Sequence, residues 1–198
     1  MNFNEKFLNQ MQEVISKINY SEIEKIVEEI GSIKKNNGRI FFCGSGGGAG
    51  HASHAAADFK KLLNIESYSV TDNVSFLTAA INDIGWETSY TEVLKSSNFT
   101  SNDALFVFSV GGGSIEPPIS SQIANAIDFV CSVGGKVLGI VGRDGGHTAK
   151  NGNAIVVPTV DEDFITPHTE GMQAYLWHFL VSHPDLTPNT PKWEGVQG

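Results

Sequence analysis

Residues 39–58 read RIFFCGSGGGAGHASHAAAD, and the fold turns on this stretch. Ile40, Phe41, Phe42 and Cys43 form an unbroken apolar run bounded by glycine, the pattern of a strand covered on both faces. Gly44, Gly46, Gly47, Gly48 and Gly50 then read as a loop, and a helical pattern runs from about His51 to Leu63. The same order returns downstream. Ala104–Phe108 is a second apolar run, and it leads into the glycine–serine segment Ser109–Ser114. Ser67–Val70, Lys136–Val141 and Ala154–Val157 are further strand candidates, and helical segments such as Pro118–Val133 and Glu170–Val181 lie between strands or after them. Short strands alternating with helices predict an α/β fold, a five-stranded parallel sheet sandwiched by helices.

Outward from this centre, Phe3, Phe7, Met11, Val14, Ile15 and Ile18 recur at helical spacing. A second helix opens at Ser21, whose S-E-I-E pattern resembles a capping box. These helices form an N-terminal extension of about residues 1–36, and residues 1–186 read as one domain. Residues 187–198 carry no periodic pattern and are expected as an extended tail. Of 198 residues, 22 are Asp or Glu and 13 Lys or Arg, a net charge of −9 that argues against nucleic acid as a partner. No apolar run approaches the ~20 residues of a membrane span, and the N-terminus has no signal-peptide pattern. With only Cys43 and Cys131 there is no disulfide framework, so a cytoplasmic location is expected.

In open parallel sheets, ligands bind beyond the carboxyl ends of strands where the winding reverses. If the first and third strands are neighbours, the loops at Gly44–Gly50 and Ser109–Ser114 meet at that crevice. Glycine permits close approach of the backbone, helix N-terminal amides favour an anion, and Ser45, Ser109 and Ser114 add hydroxyls. The expected ligand group is a phosphate. A dinucleotide fingerprint is the rival: Gly44, Gly46 and Ala49 satisfy G-x-G-x-x-G/A, and Asp72 follows the second strand. Asp72 comes 28 residues after Gly44, later than usual, and that reading leaves the second loop without a task. No Walker-type motif occurs.

FFCGSGGGAGHASHAAADF, AINDIGW, FSVGGGS, VLGIVGRDGG and the later E-x-x-Q-x-x-x-x-H segment, in this order, resemble the sugar isomerase (SIS) domain. Within it, they are similar to the phosphoheptose isomerase family, which isomerises sedoheptulose 7-phosphate. The resemblance spans the chain to about His183. It implies the five-stranded SIS sheet in flavodoxin-like strand order and a homotetramer with active sites at subunit interfaces. It further implies a divalent metal, zinc, and a sugar-phosphate substrate interconverted between ketose and aldose.

His54 and Asp58 are four residues apart and share a helix face, with His51 one turn earlier. Imidazole and carboxylate at that spacing suit zinc, and they equally suit a solvated helix face. By resemblance, His54 stands at a metal-binding histidine and Asp58 at a glutamate that binds metal and acts as base. Glu170 and His178 stand at a glutamine and a histidine that complete the metal site, the histidine serving as acid partner. Eight residues on one straight helix rise about 12 Å, too far for shared ligation of one ion. Pro167 and Gly171 would relax this if Glu170 preceded the regular helix. Glu170 could also supply the base if the shorter Asp58 falls short.

The resemblance places the substrate at Ser45, Gly46, Gly47, Gly48, Asp83, Ser109, Gly111, Gly112 and Ser114. Asp83, in an N-D-x-G turn, could accept a sugar hydroxyl. Departures thin the phosphate loops: Gly48 and Gly111 replace serines, Val110 replaces a threonine, and Leu62 replaces an arginine. Arg143–Gly146 reads as a structural turn, and His147, His168 and His183 as surface or packing residues. Two function classes remain, a metal-assisted sugar-phosphate isomerase and a non-catalytic sugar-phosphate-binding sensor or scaffold.

Overall fold

A computed structural model describes residues 2–187 and Trp193. The expected tail otherwise falls outside the described residues.

Two helices, α1 (Phe3–Lys17) and α2 (Tyr20–Lys35), precede β1 (Ile40–Gly44) and α3 (Gly47–Leu63). There follow β2 (Ser67–Ser69), α4 (Val74–Ile84), α5 (Ser89–Ser96), β3 (Ala104–Ser109), α6 (Ser121–Ser132) and β4 (Lys136–Val141). The chain then forms α7 (Gly146–Asn151), β5 (Asn153–Val156) and α8 (Ile165–Ser182). The strands form one parallel sheet in the order β2-β1-β3-β4-β5. This is the flavodoxin-like order, with β1 and β3 as neighbours at the point of reversal.

The alternation within β1 shows why IFFC is uninterrupted. Ile40 and Phe42 enter one core with α1, α2, α3 and α8, whereas Phe41 and Cys43 enter another with α5 and α6. Burial drives the Cys43 thiol pKa well above its usual range. At the open edge of β5, Glu22 of α2 accepts the Val156 amide at 2.9 Å, blunting an edge strand with a charged side chain.

Several boundaries differ from expectation, each for a local reason. The N-cap of α2 is Asn19, whose side chain accepts from the Ser21 amide, and the complete capping box lies at Asn2 and Glu5 of α1. Helix α6 begins at Ser121, after the Pro117–Pro118 segment has turned. Helix α3 begins at Gly47, so most of the glycine loop is helix. Gly48 lets that first turn press onto the Phe108 carbonyl, where a Cβ would collide. A serine there would not fit without a shift, so the absent hydroxyl has a packing cause.

Candidate active site

The loops after β1, β3 and β4 enclose a crevice of about 790 Å³, a size suited to a small polar metabolite. Ser45, Gly48, Ser109, Gly111 and Ser114 line it. Gly46, Gly47 and Gly112 shape its walls without lining it, and Asp83 is elsewhere. Asp83 is exposed in the last turn of α4, where its carboxylate accepts from Asn82 at 2.8 Å, so the expected turn is helical and away from the crevice.

The hydroxyls and amides of these loops are partly committed within the chain. Gln122 donates to Ser45 Oγ, and the Ser45 hydroxyl is also hydrogen-bonded to the Tyr90 phenol beneath it. Ser109 Oγ accepts the Gly112 amide at 3.0 Å, and the Ser114 amide goes to the Ile119 carbonyl at 2.8 Å. The carbonyls of Gly112 and Gly113 accept the amides of Thr148 and His147 in α7, binding the β3 loop to the β4 loop. Beneath Ser45, Tyr90 donates to the Gly44 carbonyl at 2.7 Å, and burial above all pushes its phenol pKa up to about 12.

Helix α8 lies along α3 and supplies the other wall. A Cβ at Gly47 would stand 2.5 Å from Glu170 Oε2, so the carboxylate rests on the first turn of α3. The anion at this helix N-terminus is therefore the chain's own Glu170. Further along, Gln173 donates to the Ile140 carbonyl at 2.8 Å and its oxygen accepts from His51 Nδ1 at 3.0 Å. That contact holds His51 in the Nδ1–H tautomer.

Two turns beyond the crevice, His54, Asp58 and His178 converge, with one ligand atom of each within 4.8 Å of the others. His54 Nε2 and His178 Nε2 lie 3.6 and 3.5 Å from Asp58 Oδ2. The buried carboxylate accepts the Trp177 indole N–H at 3.2 Å. His178 Nδ1 donates to the Ala174 carbonyl at 2.7 Å, which turns its Nε2 lone pair toward the cluster. Glu170 does not join the group. α8 is continuous from Ile165, so Pro167 sits in its first turn, and Glu170 and His178 keep the full separation of about 12 Å.

The crevice also contains residues that the sequence reading set aside or did not name: Arg143 from the β4–α7 connection, His147 and Lys150 of α7, and Glu116 and Ser120 ahead of α6. Their signal was positional, since every loop at the carboxyl edge beside β3 opens onto the crevice. His147 Nε2 is held at 2.6 Å by Asp128.

The sequence profile of the SIS domain matches residues 2–138. The phosphoheptose isomerase of Helicobacter pylori strain Shi470 is 30% identical over 152 residues, covering 74% of this chain and 73% of that protein. That of Aliarcobacter butzleri is 28% identical over 184 residues, covering 90% and 85%. In fold, the phosphoheptose isomerase of Neisseria gonorrhoeae superposes with a TM-score of 0.75 at 23% identity, over 91% of this chain and 98% of that one. The Francisella tularensis enzyme gives 0.76 at 19%, over 96% and 100%. Sheet order, crevice and sequence kinship converge: the chain belongs to the SIS-domain family, among the phosphoheptose isomerases.

Proposed function

We propose that this protein interconverts a ketose and an aldose sugar phosphate, with Glu170 moving the proton and sedoheptulose 7-phosphate the first substrate to test. The observation that carries this reading is one crevice lined by the Glu170 carboxylate and the hydroxyl residues Ser45, Ser109 and Ser114. Isomerisation passes through an enediol: while a proton passes from the hydroxyl oxygen to the carbonyl oxygen, a base takes a proton from one carbon and returns it to its neighbour. One carboxylate can do both. Asp58 is less suited, because it is buried, receives the Trp177 N–H, faces two imidazoles and does not line the crevice. Its part is to anchor His54 and His178.

That trio fits a divalent cation, with two imidazoles and a carboxylate as donors typical of zinc. When bound, such an ion supplies a Lewis acid that polarises an oxygen. Within one chain the trio stands apart from Glu170. The homotetramer implied by the family resemblance, with sites at subunit interfaces, is the arrangement we propose for bringing such groups to one sugar. The cytoplasm is the compartment this reading implies.

Turnover of sedoheptulose 7-phosphate in deuterated water tests it, with product and carbon-bound deuterium followed by NMR. The wild type is expected to convert and exchange, and Glu170→Gln to lose about a hundredfold or more in kcat while still binding substrate. A wild type that binds sugar phosphates yet neither converts nor exchanges them would identify a binding protein instead. Equal kcat in Glu170→Gln would remove Glu170 from the chemistry.

A further inference from the structure

Five non-glycine residues among the described residues have left-handed backbone: Asn37, Asn64, Asn98, Ser120 and Arg143. The three asparagines close α2, α3 and α5, a role that asparagine tolerates well. Ser120 (φ 50°) and Arg143 (φ 53°) have no such excuse, and both line the crevice. Ser120 occupies the N-cap position of α6 without capping it, and its hydroxyl has no hydrogen bond among the described residues. The Arg143 guanidinium likewise has no hydrogen bond or ion pair among the described residues. A strained backbone that displays unpartnered donors into a cavity marks a site of use.

We propose that Arg143, assisted by Ser120, is the anion clamp of the crevice and binds the phosphate ester of the substrate. The assignment deepens the isomerase reading and rests on it for the identity of the ester. Three features of the crevice agree. A Cβ at Gly111 would stand 4.0 Å from Arg143 Cδ, so the arginine stem runs beside a position where the family's serine is missing. The amides of Gly112 and Ser114 are spent within the chain, which removes two backbone donors from this loop. The N-terminus of α3 is filled by Glu170, so an incoming anion is repelled from that end and drawn toward Arg143 and Lys150. Of the other carboxylates in the lining, Asp144 closes its own turn by accepting the Gly146 amide at 3.1 Å, and Glu116 precedes the prolines. An arginine fork suits a phosphate better than the hydroxyls it replaces.

The test uses Arg143→Gly and Ser120→Ala. Glycine accepts the left-handed backbone, so loss of fold cannot imitate loss of the clamp. Steady-state kinetics with sedoheptulose 7-phosphate are paired with calorimetric binding of inorganic phosphate to the same proteins. Arg143→Gly is expected to raise KM about tenfold or more with kcat little changed, to weaken phosphate binding in parallel, and to melt no lower than the wild type. Ser120→Ala should follow in the same direction by a smaller factor. If Arg143→Gly stays within about twofold of wild type in both KM and phosphate affinity, the clamp is wrong whatever the enzyme does. If no sugar phosphate is turned over but phosphate binds in an Arg143-dependent manner, the isomerase reading fails and the clamp stands. A wild type that neither binds phosphate nor turns over a sugar phosphate overturns both.

Discussion

Replacing Gly47 by alanine separates the work of Glu170 from its contribution to stability. The added Cβ would lie 2.5 Å from Glu170 Oε2 and 2.8 Å from its Cδ. Carbon and oxygen do not sustain such contacts, so the carboxylate must withdraw by about 1 Å to reach ordinary separation. The backbone loses nothing, because Gly47 is a helical residue outside the left-handed region and alanine gains up to about 1 kcal/mol of helix propensity. Moving the carboxylate off the N-terminus of α3 costs about 0.3–1 kcal/mol. These nearly cancel, and the melting temperature should stay within about 3 °C of wild type. Activity should not. If Glu170 moves the proton, a displacement of about 1 Å lowers kcat on the order of a hundredfold. Thermal melting and initial rates of ketose-to-aldose conversion on one preparation check both halves. Unchanged melting with unchanged kcat would refute the proton-transfer role of Glu170. A fall in melting beyond roughly 6 °C would show the Gly47–Glu170 contact to be structural, its carboxylate unable to step aside.

Asp58→Asn should abolish zinc binding by the trio, read as loss of the melting shift that excess zinc gives the wild type; an undiminished shift would place the ion elsewhere. Asp103 is buried and accepts from Arg39 Nε and Nη2, the Arg39 amide, and the Thr100 amide and hydroxyl. Burial opposes its ionisation, yet the Arg39 and Thr100 hydrogen bonds outweigh it and hold the pKa below the usual carboxylate value. Because the folded pKa is lowered, this stability is fully present above about pH 4 and is lost as pH falls through the folded value. Asp103→Ala should therefore cost about 3–5 kcal/mol at neutral pH and flatten the acid limb of the stability curve, both read from denaturant melts between pH 3 and 7. Tyr90→Phe leaves the buried Gly44 carbonyl without its donor and should destabilise by about 1–2 kcal/mol by chemical denaturation.

The strands were legible because burial on both faces leaves an unmistakable composition: IFFC can be little else. The glycine segment was legible as a ligand-facing turn but not as a helix. Glycine is a poor helix former, and what overrides its propensity is tertiary: the close seat of α3 on Phe108 and Glu170. Helix α4 was not named among the helical segments, although Ser75, Thr78 and Asn82 recur at helical spacing, and it buries only Ala80. His54, Asp58 and His178 could be placed together on spacing and resemblance. The isolation of Glu170 could not, since Pro167 and Gly171 suggested a break. Proline is tolerated in the first turn of α8, and Gly171 makes room for Met11 of α1, whose Cε would stand 3.3 Å from a Cβ there. Arg143 was passed over because a turn motif explains it locally, and only the backbone angle shows that the local explanation is poor.

The arrangement of the site follows from one geometric fact, the parallel register of α3 and α8 on the same face of the sheet. Gly47 meets Glu170, His51 meets Gln173, and Asp58 meets Trp177 and His178, so the contacts advance together along both helices. A slip of one residue, about 100° of rotation, would break all of them at once. Asp58 would lose the indole N–H, His51 its amide partner, and Glu170 its seat on the side-chain-free Gly47. The register is pinned by the close approach of Glu170 to Gly47, and Gly171 seats α8 against Met11 of α1. The charge map of the crevice is thus a consequence of packing. Once Glu170 is seated on α3, the negative end of the crevice is fixed there, and Arg143 and Lys150, the Lys and Arg residues of its lining among the described residues, define where an anion can go.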